Sequence, residues 1–226
     1  MLTPGDRFVP WAGGIRASWQ CKPLKYCVHI NSDVLPESTP GHYEFRYIDI
    51  SCVTATGRIN DPAMTTFDMA PSRARRVVQE GDTIVSTVRT YLKALAFIEG
   101  DASNLICSTG FAVLRPRSFV WPKFLFYWAR SSFFVDEICA RSVGVSYPAV
   151  NALEIGSLPF PMIPLEEQKG IAAHLDSRLA RVEAMMECVG SLITPGAADG
   201  GMIVEYWDAL ITAVVTGKID LCGEVA

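Results

Sequence analysis

Up to about residue 163 the apolar residues come in short runs, each closed by turn residues. Phe45 to Val53 (FRYIDISCV) alternates and is rich in aromatic and β-branched side chains, the composition of a half-buried strand. Thr83 to Val88 follows the turn Glu80-Gly81-Asp82 and reads the same way, as do Ala94 to Ile98, Leu105 to Cys107 and Phe111 to Leu114. One helix is predicted over 122–141, where Pro122 suits a first-turn position. Short strands with a single helix predict a mixed, strand-rich α+β domain.

From Pro164 the period becomes helical. Ala172, Leu175, Leu179, Val182, Met186, Val189 and Ile193 follow one another in alternating steps of three and four, the spacing of a coiled-coil seam. Thr194 to Gly201 (TPGAADGG) then interrupts the pattern, since an interior Pro costs a helix about 3 kcal/mol and a Gly about 1 kcal/mol. Beyond it Ile203, Trp207, Leu210 and Val214 are again apolar, and Val214 lies three whole heptads from Ile193. The phase predicts one long coiled-coil-type C-terminal helix, interrupted near 194–201. A stripe on a protruding helix needs a partner, so Leu175, Leu179, Val182, Met186 and Val189 are the expected dimerisation residues. An amphipathic helix packed on its own domain is the plainer alternative. The expected division is 1–163 and 164–226.

Charge changes at the same boundary. The 226 residues are 50% hydrophobic, enough for a core and too apolar for a disordered chain. The net charge of −4 argues at first against a nucleic-acid partner. Residues 1–163, however, hold 16 Lys and Arg against 14 Asp and Glu, whereas residues 164–226 hold 4 against 10. The acidity belongs to the helical tail. The most apolar stretches, 119–129 and 201–215, are broken by Pro122 and Lys123 and by Glu205 and Asp208, and Asp6 and Arg7 stand where a leader needs its apolar core. A soluble cytoplasmic protein with no membrane association is expected. Seven cysteines without a CxxC pair fit a reducing compartment, and no metal site is expected.

Catalytic signatures are missing. There is no GxGxxG, GxxxxGK[ST], GxSxG or HExxH. His29, His42 and His174 stand apart from any plausible nucleophile. Glu167-Gln168-Lys169 has the carboxylate–lysine order of half a nuclease metal site, but it falls in a first helical turn, where Glu166 and Glu167 suit the helix dipole. No catalytic residue is assigned. The remaining chemistry is basic and aromatic. Arg73, Arg75 and Arg76 precede the Gly81-Asp82 turn. Arg89, Thr90, Tyr91 and Lys93 follow the next strand, and Arg141, Ser142, Ser146 and Tyr147 fall in a second loop. Guanidinium, hydroxyl and phenol groups are the types that contact phosphates and base edges. Two solvated loops are the alternative.

The ordered motifs resemble the DNA-specificity subunit of type I restriction-modification systems, in a half-length form. They are Trp19 to Tyr26 (WQCKPLKY), Leu35 to Ile50, Glu80 to Arg89 (EGDTIVSTVR), Ser108 to Pro116 (STGFAVLRP), Ser142 to Asn151 (SVGVSYPAVN), Pro161 to Asp176 (PMIPLEEQKGIAAHLD) and Ala209 to Asp220 (ALITAVVTGKID). The resemblance implies a target-recognition domain over 1–163 and a helical dimerisation and spacer region over 164–226. It implies a non-catalytic subunit that binds double-stranded DNA and directs methyltransferase subunits, and through them restriction (motor) subunits, to a bipartite site. SAM, ATP and Mg are then expected on those partners, with no cofactor on this chain. DNA contacts are expected from Arg89, Thr90, Tyr91, Lys93, Arg141, Ser142, Ser146 and Tyr147. A family subunit has two recognition domains, so this half is expected to homodimerise or pair with another half. The alternative is an orphan half acting mainly as a protein-interaction module.

Overall fold

The computed structural model describes residues 16, 19–144, 147–190 and 199–219, with all their side chains except those of 91, 186–190 and 199–203. Among the described residues, ten strands and five α-helices form three layers. One sheet has the order β2-β9-β6-β7 and is antiparallel throughout, built from β2 (Val28–Ile30), β6 (Thr83–Ser86), β7 (Leu95–Phe97) and β9 (Phe111–Pro116). The other has the order β4-β3-β8-β5, built from β3 (Glu44–Ile48), β4 (Ala63–Thr66), β5 (Ala74–Val77) and β8 (Leu105–Ser108), with β3 and β8 parallel. β1 (Gln20–Pro23) and β10 (Pro159–Met162) make a separate antiparallel pair.

Strand periodicity explains the layering. Successive side chains leave opposite faces of a strand. In β9, Phe111 and Val113 enter the core between the sheets with Ile48, Ile84, Leu105 and Cys107. Ala112 and Leu114 enter the core under the helices with Val28, Val85 and Leu95. The middle of the first sheet is thus buried on both faces, which is why β6 and most of β9 are continuously buried. The far face of the second sheet holds a smaller core of Phe45, Tyr47, Ala74 and Ile106.

Residues 122–141, expected as one helix, form two: α1 (Pro122–Arg130) and α2 (Ser132–Arg141). Ser131 breaks the run at φ −58°, ψ 143°, and its hydroxyl accepts from the Phe134 amide as the cap of α2. A short α3 (Ala152–Ser157) precedes β10. α4 (Leu165–Gly190) and α5 (Asp199–Val215) both pack on α1.

The expected seam does not run along a protruding helix. On one unbroken helix Leu175 and Val214 would lie about 60 Å apart at 1.5 Å per residue. Both instead belong to the core built on Phe124 and Trp128 of α1, with Ile171, Leu179, Trp207 and Ile211. Residues 191–198, most of the expected interruption, lie outside the described residues; Asp199, Gly200 and Gly201 are helical. Leu175 is fully buried and Leu179 only 5% exposed, so these two proposed dimerisation residues face their own domain. Val182 is half-buried against the same core. The side chains of Met186 and Val189 lie outside the described residues.

Polar contacts fix the helices. The Ser132 amide donates to Thr212 Oγ1 at 2.8 Å, and Tyr127 donates to Asp176. Arg130, buried under Trp207, bridges Asp208 and the Ala55 carbonyl. After α5 the chain turns at Gly217, φ +71°, where a Cβ would sit 2.8 Å from Arg16. Gln168 is 1% exposed and accepts from the Trp121 amide at 2.8 Å. It also donates to the carbonyls of Phe119 and Ile163 at 3.0 and 2.9 Å. Gln168 is a clamp between α4 and the entry to α1. Lys169 is likewise engaged, with Glu166 at 2.7 Å.

Candidate nucleic-acid interface

The two basic loops lie at one end of the first sheet and are joined there. β6 ends at Ser86, whose hydroxyl donates to the Val88 carbonyl at 2.7 Å. The Thr87 amide and hydroxyl both donate to the Gly110 carbonyl, at 2.8 and 2.9 Å. Val88 bridges Ala149, and Ala149 bridges Val143. The Arg89 amide donates to the Pro148 carbonyl at 2.8 Å. A segment after α2 is therefore stitched as an extra ribbon to the segment leaving β6.

Arg89 has φ 49° and ψ 49°, and Lys93 has φ 51° and ψ 32°. Both are left-handed, an uncommon conformation for residues with a Cβ, and they bracket the 3-10 turn Thr90–Leu92. Thr90 is 5% exposed, and its hydroxyl lies 2.8 Å from that of Ser142. Ser142 spends its own hydrogen on the Ile138 carbonyl at 2.8 Å, so Thr90 is the donor between them. These two residues hold the loops together from beneath.

Above them the Arg89 guanidinium lies over the Tyr147 ring, 4.7 Å from its centroid. Arg89 is exposed, Tyr147 is 65% exposed and neighbouring Val143 81%. A planar cation stacked on an exposed phenol, on rigidly anchored backbone, offers fork-shaped donors and an aromatic face to the same ligand.

The remaining candidates stand differently. Lys93 Nζ lies 3.3 Å from Asp208 of α5, which also pairs with Arg130. Arg141 pairs with Glu137 at 3.2 Å and Glu154 at 3.5 Å and donates to Ser157 Oγ at 2.6 Å, tying α2 to α3. Neither is a free cation, so the structure brings together all the described candidates but presents Arg89 and Tyr147. The Tyr91 side chain and Ser146 lie outside the described residues.

Sequence reasoning missed the ion pairs that shape the scaffold. Asp82, 1% exposed, accepts from Arg115 Nε and Nη2 at 2.9 and 2.8 Å, and Arg115 also meets Asp33. The carboxylates hold the Arg115 guanidinium charged against its burial and raise its pKa. This pair anchors the Gly81-Asp82 turn, with Gly81 at φ +87°, at the end of β6 opposite the loops. The motif carried the signal; its partner, 33 residues on, did not.

A cleft of about 520 Å³ opens between α1, α4, α5 and the 56–62 segment, and none of the loop candidates lines it. Its Arg58 and Lys123 are paired with Glu183 and with Glu99 and Asp176. Among the described residues no group of three or more His, Cys, Asp or Glu side chains could hold a metal ion. Nor is any helix of the described residues long and apolar enough to cross a membrane.

A family model described as the type I restriction modification DNA specificity domain matches residues 45–185, more than half of the chain. The chain belongs to this family. The match spans the second sheet, the first sheet apart from β2, the joined loops and most of α4. Curated relatives of this specificity-domain chain include the type I restriction enzyme EcoKI specificity subunit of Escherichia coli (strain K12). It is 30% identical over 112 residues, which are 45% of this chain and 24% of that subunit. The StySPI specificity subunit of Salmonella potsdam is 32% identical over 80 residues, 34% of this chain and 17% of the relative. Among solved structures, the HsdS subunit from Thermoanaerobacter tengcongensis is 34% identical with a TM-score of 0.69, covering 79% of this chain and 46% of that one. A chain from a structure on complex assembly and conformational transition of the type I R-M system is 32% identical with a TM-score of 0.70, at the same coverages. The specificity-domain chain therefore spans less than half the length of these relatives. As specificity subunits, the relatives are non-catalytic components of type I restriction-modification complexes.

Proposed function

We propose that this chain is the sequence-reading component of a type I restriction-modification complex and binds double-stranded DNA through the joined loops. The observation that carries this reading is the Arg89 guanidinium stacked on the exposed Tyr147 ring, fixed on backbone bonded to the end of a doubly buried strand. Base edges and phosphates are the ligands for which such a fork is suited. Lys93 and Arg141 shape the loops through their carboxylate partners. In this reading the chain acts in the cytoplasm and directs methyltransferase subunits, and through them restriction subunits, to a bipartite site. SAM, ATP and Mg belong to those partners, and this chain holds no cofactor.

A half-length reader needs a second half to read two half-sites, and a two-fold pair would mirror a palindromic target. With Leu175 and Leu179 turned inward, pairing falls to the outer face of α4, where Ala173, Ser177, Ala184 and Met185 are exposed. That face also supports the second reading, a half-subunit serving mainly to join methyltransferase or another specificity subunit. The experiment is co-expression with the cognate methyltransferase followed by methylome sequencing. A modified bipartite motif that disappears with Arg89→Ala is the expected result. A complex that assembles and methylates no motif would replace DNA reading with the interaction role.

A further inference from the structure

Outside the joined loops, one exposed arginine sits on the same rim. β8 ends at Ser108, β9 begins at Phe111, and the turn between them, Thr109-Gly110, carries the chain from the second sheet to the first. Its two residues are bonded to opposite sides. The Gly110 carbonyl accepts from Thr87, two residues before Arg89. The Thr109 amide donates to the Arg73 carbonyl at 2.8 Å, just before β5. Arg73, Thr109, Arg89 and Tyr147 are all exposed along this line.

Charge leaves Arg73 available as well. Arg46, Arg58, Lys93, Arg115, Lys123, Arg130, Arg141 and Lys169 each lie within ion-pair distance of a carboxylate. Arg73 and Arg89 have no carboxylate at that distance among the described residues; they share this with other cations, such as Arg117 and Arg178, and are set apart by their exposed place on the rim. Arg73 does lie close enough to Tyr47, whose hydroxyl meets Asp49, to be felt by that phenol.

Resting on the DNA-binding reading above, we infer that Arg73 is a phosphate-contacting residue, and that the DNA-facing surface runs from the Arg89–Tyr147 stack across the Thr109-Gly110 turn to Arg73. Stacked sheets lie about 10 Å apart, and one DNA strand carries a charge roughly every 3.4 Å of axis, so cations on the two sheet ends span about three phosphate steps. A cation on a backbone segment of this kind positions the duplex, while the stacked fork at Arg89 reads it.

The test measures binding of a random-sequence 30-bp duplex by the full chain across a series of KCl concentrations. Arg73→Ala, Arg73→Lys, Arg89→Ala and, as a control on α4, Arg178→Ala are compared, with unchanged thermal midpoints required of each. Arg73→Ala is expected to weaken binding about tenfold at 0.1 M salt and lower the salt slope by about one, with Arg73→Lys restoring most of both. Arg178→Ala should change neither. If Arg89→Ala weakens binding while Arg73→Ala leaves affinity and slope intact, this inference fails and the DNA reading stands. If the unaltered chain does not retain the duplex even at low salt, the DNA reading fails and takes the inference with it.

Discussion

Thr90 Oγ1 lies 2.8 Å from Ser142 Oγ, and this side-chain contact ties the turn after β6 to the turn after α2. The pair is predicted to be coupled. Ser142→Ala leaves the Thr90 hydroxyl buried without an acceptor, which costs about 1–3 kcal/mol. Thr90→Val in the same background should recover much of that loss, since both polar partners are then gone. Urea unfolding of the two single variants and the double variant measures the coupling. Additive effects would mean that the hydroxyls do not interact.

Arg89 holds a left-handed backbone conformation that favours glycine. Arg89→Gly is therefore expected to leave stability unchanged or raise it by up to about 1 kcal/mol. The same change should reduce duplex binding as strongly as Arg89→Ala. Stability and binding moving apart in one variant is the signature of strain kept for function. Destabilisation beyond about 1 kcal/mol would place Arg89 in the scaffold instead.

The Asp82–Arg115 pair is scaffold. Asp82→Ala leaves Arg115 with only Asp33 and removes the acceptor of the Gln79 amide. A loss of about 3 kcal/mol in unfolding free energy is expected, as for other buried pairs deprived of one partner. A loss below about 1 kcal/mol would show that Asp33 alone holds the guanidinium.

Burial pushes the Cys27 thiol up to about 11 and the Cys107 thiol up to about 12, from an ordinary 9.0. The unfolded chain sheds these protons near pH 9 while the folded chain keeps them. Their contribution is thus fully present below about pH 9 and is lost as pH rises toward 12. At pH 8 a disulfide reagent should label both only at the rate of unfolding. Rapid labelling of Cys107 in the folded chain, or a Cys107→Ala variant with the same alkaline fall in stability, would contradict this.

Legibility in the sequence followed distance along the chain. β6, β8 and β9 are apolar runs between turns, and all three were visible. β1, β2, β4, β5 and β10 are three or four residues long and carry polar residues or prolines among few apolar ones, so no period emerges. The break at Ser131 is easily passed over because apolar residues resume directly after Arg130-Ser131-Ser132 and no Gly or Pro marks it; the serine pair is its one cap signal. At the loops, residue types identified the right two segments, but Lys93 takes its carboxylate from Asp208, 115 positions away. Pattern shows which positions are apolar or charged; only the fold shows which charges are already satisfied.

The helical seam carries the same lesson into an experiment. Heptad spacing requires an apolar face to be covered and does not say by what. Here α1 covers it: α4 packs on α1, and Leu175 and Leu179 share one core with Phe124 and Trp128. Leu179→Asp would bury a charge there, at a cost of several kcal/mol, so the variant is expected to unfold rather than remain a folded monomer. Ala184→Glu and Met185→Asp, on the exposed face of α4, should keep the thermal midpoint within a few degrees. Sedimentation then separates the two faces. If the unaltered chain is a dimer and the outer-face variants are folded monomers, α4 pairs through its outer face. Folded monomers from Leu179→Asp would instead return the seam to the interface and remove it from the core.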